Sequence, residues 1–122
     1  MANKVLVVDD EPKIVELLKS RLEDNGYNVA TAFDGQEALD RIYQEIPDLI
    51  IMDIILPKID GYGVCKALRA DDRYKQIPVI MLTGRCQAQD IKTGMDLGAV
   101  CYMQKPFKAD MLLALIPGLI KK

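Results

Sequence analysis

A chain of 122 residues, half of them apolar and 28% charged, is expected to fold as one domain over 1–122 around a single core, and the balance argues against disorder. The 16 Lys and Arg set against 18 Asp and Glu leave a net charge of −2, so there is no basic excess for gripping a phosphate backbone, and direct nucleic-acid binding is not expected. With no histidine, the chain cannot build a Ser/His/Asp triad, a Cys/His dyad or an imidazole metal site, so any chemistry must use carboxylates, hydroxyls and lysine.

Lys4 to Val8 is a short β-branched run and reads as a buried strand. Pro12 follows at a first helical position, and Ile14, Val15, Leu17, Leu18 and Leu22 recur at helical spacing until Gly26 stops them. A second strand near Asn28 to Ala32 leads through Asp34, an N-cap residue, into a helix with Ala38, Leu39, Ile42 and Ile46 on one face, ended by Pro47. Leu49 to Met52 is continuously apolar, the mark of a central strand covered on both sides, and Asp53 stands at its carboxyl end. A loop from Leu56 to Asp60 precedes a third helix, Gly61 to Ala70. Val79 to Leu82 is a fourth strand, Gln87 to Leu97 a fourth helix closed by Gly98, and Val100 to Met103 a fifth strand. The last helix is expected to begin near Lys108 and run through Met111, Leu112 and Leu115, with Pro117 and Gly118 breaking or kinking it early. This alternation predicts an α/β fold, a parallel sheet with helices on both faces.

Cys65, Cys86 and Cys101 are odd in number and never two residues apart, so neither a zinc knuckle nor a disulfide framework is signalled, and a reducing cytoplasm is the expected location. Val5 to Val8 is too short for a signal-peptide core. The run from Met111 to Ile120 is interrupted by Pro117 and Gly118 and falls short of the roughly 18 residues of a span, so no membrane insertion is expected.

In open parallel sheets, ligands gather outside the carboxyl ends of the strands. Asp9 and Asp10 follow the first strand, Asp53 the third, Thr83 the fourth, and Lys105 lies just beyond the fifth. Carboxylates converging on one crevice repel each other unless a cation intervenes, and magnesium, which takes oxygen ligands and keeps waters, leaves positions for a substrate phosphate. Phosphoryl chemistry is the expected use of such a set.

Val8-Asp9-Asp10-Glu11-Pro12, Leu49-Ile50-Ile51-Met52-Asp53 with Leu56-Pro57 and Asp60-Gly61, Met81-Leu82-Thr83-Gly84, Gly98-Ala99, Tyr102 and Lys105-Pro106-Phe107 stand in this order along the chain. In these residues it resembles, over essentially its full length, the receiver domain of two-component response regulators. The resemblance implies a flavodoxin-like, doubly wound (βα)5 sheet of strand order 2-1-3-4-5 and a signalling phosphoacceptor rather than a turnover enzyme. By it, Asp53 is the phosphoacceptor, and Asp9 and Asp10 are the metal pair. Asp10 and Asp53 bind Mg2+ directly, Asp9 acts through water, and the main-chain carbonyl of Ile55 adds a third protein oxygen; Mn2+ is the alternative ion. Lys105 pairs with the phosphoryl oxygens, aimed by a cis Lys105–Pro106 peptide, while Thr83 donates its hydroxyl. Thr83 and Tyr102 form the switch. Ile55 and Arg85 flank the approach of water and tune dephosphorylation.

Taken one at a time, these residues have ordinary alternatives: a solvated loop for Asp9 and Asp10, a turn for Asp53, a surface lysine for Lys105 and a half-buried strand tyrosine for Tyr102. The implied phosphodonor is a sensor histidine kinase or a histidine phosphotransfer protein. Output is expected through the face made by the fourth helix, fifth strand and last helix, to a separate partner or a C-terminal effector domain, with a phosphorylation-linked homodimer as a further expectation. Val100, Cys101 and the run from Met111 to Ile116, which holds no arginine, point to an apolar contact surface there. Two rivals stand beside this reading. A magnesium-dependent aspartate-nucleophile phosphatase commonly carries a second Asp where this chain has Ile55, and a flavodoxin-like binding protein needs a phosphate loop where Asp9-Asp10-Glu11 would repel the ligand.

Overall fold

Short apolar runs, each too brief for a stable helix, pair with one another as strands: β1 (Lys4–Val8), β2 (Asn28–Ala32), β3 (Leu49–Asp53), β4 (Val79–Thr83) and β5 (Cys101–Gln104). The computed structural model describes residues 3–84, 92, 101–105 and 107–120. The strands form one parallel five-stranded sheet of order β2-β1-β3-β4-β5. β3, central in that order, is buried along its whole length. Val8 pairs with Met52, Asp53 with Leu82, and Thr83 with Gln104, so the carboxyl ends are nearly level and the residues that follow them meet at one edge.

Helices α1 (Pro12–Asp24), α2 (Gly35–Glu45), α3 (Gly61–Arg69) and α4 (Ala109–Leu119) cover the sheet. Strand alternation divides the core. Leu6, Val8, Ile50, Met52, Val79 and Met81 pack with Ala38, Leu39 and Ile42 of α2 and Val64, Cys65 and Leu68 of α3. Val5, Val7, Leu49, Ile51, Ile80 and Leu82 pack with Val15, Leu18 and Leu22 of α1 and Leu112 and Ile116 of α4. Each fully buried Leu or Ile contributes on the order of 1.5–3 kcal/mol, which is why both sheet faces are closed. Asp34 caps α2 by accepting from Glu37 N–H at 2.7 Å, and Asp60 caps α3 by accepting from Gly63 N–H at 2.8 Å. No helix among the described residues is long and apolar enough to cross a membrane.

The structure departs from the sequence reading in places with clear causes. Ile46, expected on the buried face of α2, lies beyond its end, 56% exposed and at φ 44°. The ring of Pro47 disfavours right-handed helix at the residue before it, so Ile46 turns left-handed and its N–H closes the helix on Ile42 O at 2.9 Å. Pro117 does not stop α4, which runs on to Leu119. Proline forfeits one hydrogen bond there, but Ile120 N–H still reaches Ile116 O at 3.0 Å, and Leu119 and Ile120 pack against the core shared by α1 and α4. β3 and β4 each extend one residue further than expected, taking in Asp53 and Thr83, and α3 ends at Arg69. Of the helix expected over Gln87–Leu97 only residue 92 is described; Arg85, Cys86, Gly98, Val100 and Pro106, with its expected cis peptide, lie outside the described residues.

Candidate functional site

Three strand ends supply one charged cluster. Asp9 directly follows β1, is completely buried, and is held in place by its own N–H on Ala32 O at 3.2 Å. Its Oδ1 accepts from Glu11 N–H at 3.0 Å, which fixes the carboxylate across the turn into α1. Asp53 ends β3 at 7% exposure, and its Oδ1 accepts from Ile55 N–H at 3.2 Å. Lys105, just past β5, places Nζ 2.8 Å from Asp53 Oδ2, 2.8 Å from Asp9 Oδ2 and 3.4 Å from Glu11 Oε1.

The Asp9 contact is an ion pair without hydrogen-bond direction: Asp9 Oδ2 is buried and receives no well-aligned donor, whereas Lys105 does donate to Asp53 Oδ2. Asp10 is exposed beside them, and carboxylate oxygens of Asp9, Asp10 and Asp53 lie within 4.8 Å of one another. Burial pushes the Asp53 carboxyl above its ordinary pKa, against the pull of Lys105, and the neighbouring Asp9 charge adds to the rise. For Lys105, burial acts to lower the pKa, but the hydrogen bond to Asp53 and the ion pair with Asp9 prevail and hold the amine above the ordinary lysine value.

These residues fit a hard divalent cation. The donors are all oxygens, one lysine charge cannot balance three carboxylates, and Asp9 Oδ2 is a buried acceptor that lacks a directed partner. Asp9, Asp10 and Asp53 are the side chains that would hold the ion.

Ile55, in the loop after Asp53, is 55% exposed. Thr83 ends β4, one register step beyond Leu82, the partner of Asp53. Tyr102 of β5 is half-buried, and its hydroxyl lies 3.0 Å from that of Tyr62 in the first turn of α3. The structure thus brings Asp9, Asp10, Asp53 and Lys105 together, with Ile55 at the rim, and sets Tyr102 against α3. Two participants went unmarked in the sequence reading. Glu11 was visible as the third acid of an acidic run, but its contact with Lys105 spans 94 positions. Tyr62 carried no local signal at all, because its partner is 40 positions away.

A family model described as the response regulator receiver domain matches residues 5–117. The chain is 47% identical over 119 residues to a protein of Guillardia theta named "Probable transcriptional regulator ycf27", covering 98% of this chain and 46% of that protein. It is 45% identical over 122 residues to the alkaline phosphatase synthesis transcriptional regulatory protein PhoP of Bacillus subtilis (strain 168), covering 100% of this chain and 50% of that one. The chain therefore spans about half the length of these curated relatives. Among solved structures, the chemotaxis response regulator CheY4 of Vibrio cholerae aligns with a TM-score of 0.91 at 35% identity, over 98% of this chain and 99% of that one. The Francisella response regulator 1452 receiver domain aligns at 0.90 with 36% identity, over 97% and 96%.

Proposed function

The chain belongs to the response regulator receiver domain family, and from that premise we propose that it accepts a phosphoryl group on Asp53 from a histidine of a partner protein in a Mg2+-dependent reaction. The observation that carries this reading is the Lys105 amine, set 2.8 Å from both Asp53 Oδ2 and Asp9 Oδ2 at the mouth of a three-carboxylate cluster. An Asp53 oxygen attacks phosphorus, the bond from phosphorus to the donor nitrogen breaks with its electron pair left on the imidazole, and an acyl phosphate forms. Asp10 and Asp53, with Asp9 through water and the Ile55 carbonyl, would hold Mg2+ or Mn2+, which would supply positive charge for the phosphoryl oxygens. Lys105 gives a second positive charge from a compact ammonium whose proton is held firmly in this site. Thr83 donates its hydroxyl to a phosphoryl oxygen, and Tyr102 responds as the switch aromatic. The chain contains no histidine, so the donor is a sensor histidine kinase or a histidine phosphotransfer protein.

The output surface includes the outer face of α4, where Met111 is 61% exposed and Leu115 37%. Relatives named as transcriptional regulators favour an output in gene regulation, through an effector domain or a separate partner. Incubation with Mg2+ and acetyl phosphate, followed by intact mass, tests the reading. One phosphoryl addition that requires Mg2+ and is lost in Asp53→Asn is the expected result. Rapid turnover of the donor without a lasting adduct would instead establish the aspartate-nucleophile phosphatase, and an unchanged mass would remove both.

A further inference from the structure

Helix α2 contributes no residue to the carboxylate cluster, yet its amino end is fastened to the loop that follows Asp53. Gly35 N–H donates to Pro57 O at 3.2 Å, and Asp34, the α2 cap, lies 3.7 Å from Lys58 Nζ. The approach leaves Gly35 no space for a side chain. A Cβ there would meet the Ile59 carbonyl oxygen at 1.7 Å, its carbon at 2.6 Å and the Ile59 Cβ at 2.7 Å. Gly35 is not in the left-handed region, so what requires glycine is the contact with the loop rather than a turn.

The same loop is pinned at its other end by a second glycine. Gly61 N–H donates to Ile54 O at 2.7 Å, and a Cβ on Gly61 would meet the Asp53 carbonyl oxygen at 2.6 Å. Between the two clamps lies Ile55, whose N–H holds Asp53 Oδ1 at 3.2 Å while Lys105 takes Oδ2. The rotation of the Asp53 carboxylate is therefore set on one side by an amine and on the other by a loop amide.

We infer that Gly35 is a positioning residue for Asp53: its missing side chain seats Pro57 to Ile59 against α2, and that seat keeps the Ile55 amide on the carboxylate. The inference rests on the phosphoacceptor reading only for its kinetic readout. An alanine methyl at 1.7 Å from the Ile59 oxygen forces that backbone to retreat by more than about 1 Å before the separation reaches even 3.0 Å. Pro57 and Lys58 are exposed, so the loop has solvent to move into and the helix need not unfold. The Ile55 bond, at 3.2 Å already at the long end of the normal range, does not survive a displacement of that size.

The test compares Gly35→Ala with Ile42→Val, which loosens the buried face of the same helix but leaves its amino end, where Gly35 and Asp34 meet the loop, unaltered. Amide NMR reads the Ile55 N–H directly, and acetyl phosphate with saturating Mg2+ reads the reactivity of Asp53. In Gly35→Ala the Ile55 amide should shift and exchange about tenfold faster, and phosphoryl addition should slow by about tenfold to a hundredfold; Ile42→Val should leave both near the parent. An Ile55 amide unchanged in folded Gly35→Ala overturns the inference whatever stability is lost, as does a displaced amide with a parental phosphorylation rate. If the parent itself takes no phosphoryl group, the phosphoacceptor reading falls and the amide result alone decides the positioning. Should Gly35→Ala fail to fold, Asp34→Ala loosens the same end of α2 more gently. It should quicken Ile55 exchange in the same direction, and parental exchange would overturn the inference.

Discussion

Replacing Lys105 with methionine keeps the apolar stem and deletes the charge that lies 2.8 Å from both Asp53 Oδ2 and Asp9 Oδ2. What remains is a pair of carboxylates, fully buried in Asp9 and 7% exposed in Asp53, facing each other and Asp10 with their desolvation uncompensated. Unit charges about 4 Å apart attract by about 4 kcal/mol at an effective dielectric near 20, and breaking one side of a buried pair typically costs about 3–5 kcal/mol. Because the lysine is itself 15% exposed and therefore partly screened, the lower end applies: about 3 kcal/mol less unfolding free energy at neutral pH without divalent ions. Millimolar Mg2+ should then stabilise the variant more than the parent, because the carboxylates no longer hold a competing amine. A tenfold tighter ion adds about 1.4 kcal/mol at saturation. Urea unfolding of both proteins, with and without Mg2+, measures these differences. A loss below about 1 kcal/mol, the size of a surface salt bridge, or equal Mg2+ increments in both proteins, would refute the argument.

Slow autodephosphorylation is expected because Ile55, 55% exposed beside Asp53, cannot hydrogen-bond an attacking water. Phosphoryl loss followed by intact mass should quicken in Ile55→Asn and in Arg85→Glu, whose position lies outside the described residues; parental rates in both would sink the idea. An apolar contact through Met111 and Leu115 of α4 predicts beryllofluoride-linked association in sedimentation that survives raised salt and weakens in Met111→Lys; a salt-sensitive dimer would count against it. Burial pushes the Cys65 thiol up to about 11. The unfolded thiol ionises near about 8.5, so this group's stabilisation is complete below that pH and drains away as pH rises through the folded value, by about 3 kcal/mol in all. The alkaline fall in urea midpoint should be shallower in Cys65→Ala, and parallel curves would contradict the assignment. Tyr62→Phe removes one partner of the hydroxyl pair with Tyr102, and a double-mutant cycle with Tyr102→Phe should give a coupling of about 1 kcal/mol; additive losses would show that the hydroxyls do not interact.

The strands were legible because a strand covered on both faces reads as unbroken apolar sequence, as Leu49 to Met52 does. Their last residues were not, since Asp53 and Thr83 are polar and join the ladder through backbone groups that carry no side-chain signature. At Ile46 two local signals conflicted. The apolar period runs through it, but the steric demand of Pro47 acts on the backbone directly and prevails. Pro117 failed for the opposite reason. Its cost is local and visible, while the packing of Leu119 and Ile120 that offsets it is tertiary. In the site, the residues at strand ends could be read one by one, because a parallel sheet delivers them to the same edge. The contacts among distant positions could not: Glu11 with Lys105, Tyr62 with Tyr102, and Gly35 with the Ile59 carbonyl depend on loop paths that no spacing rule encodes.

The division of the core by the sheet limits how the two ends of this molecule can communicate. Ile54 and Leu56, in the loop after Asp53, settle into the compartment filled by α2 and α3, whereas α4 is rooted by Leu112 and Ile116 in the compartment on the far side. Among the described residues, a rearrangement of the Asp53 loop therefore does not press on α4 through shared packing; the sheet stands between them as a bulkhead. Contact between the two sides, again among the described residues, passes through strands whose neighbouring side chains face both. β5 is such a strand, at the sheet edge: Tyr102 packs into the first compartment, and the next residue, Met103, packs into the second. A rotation of that single edge strand about its own axis would be felt on both sides at once, whereas a shift of α2 or α3 alone would spend itself within its own half.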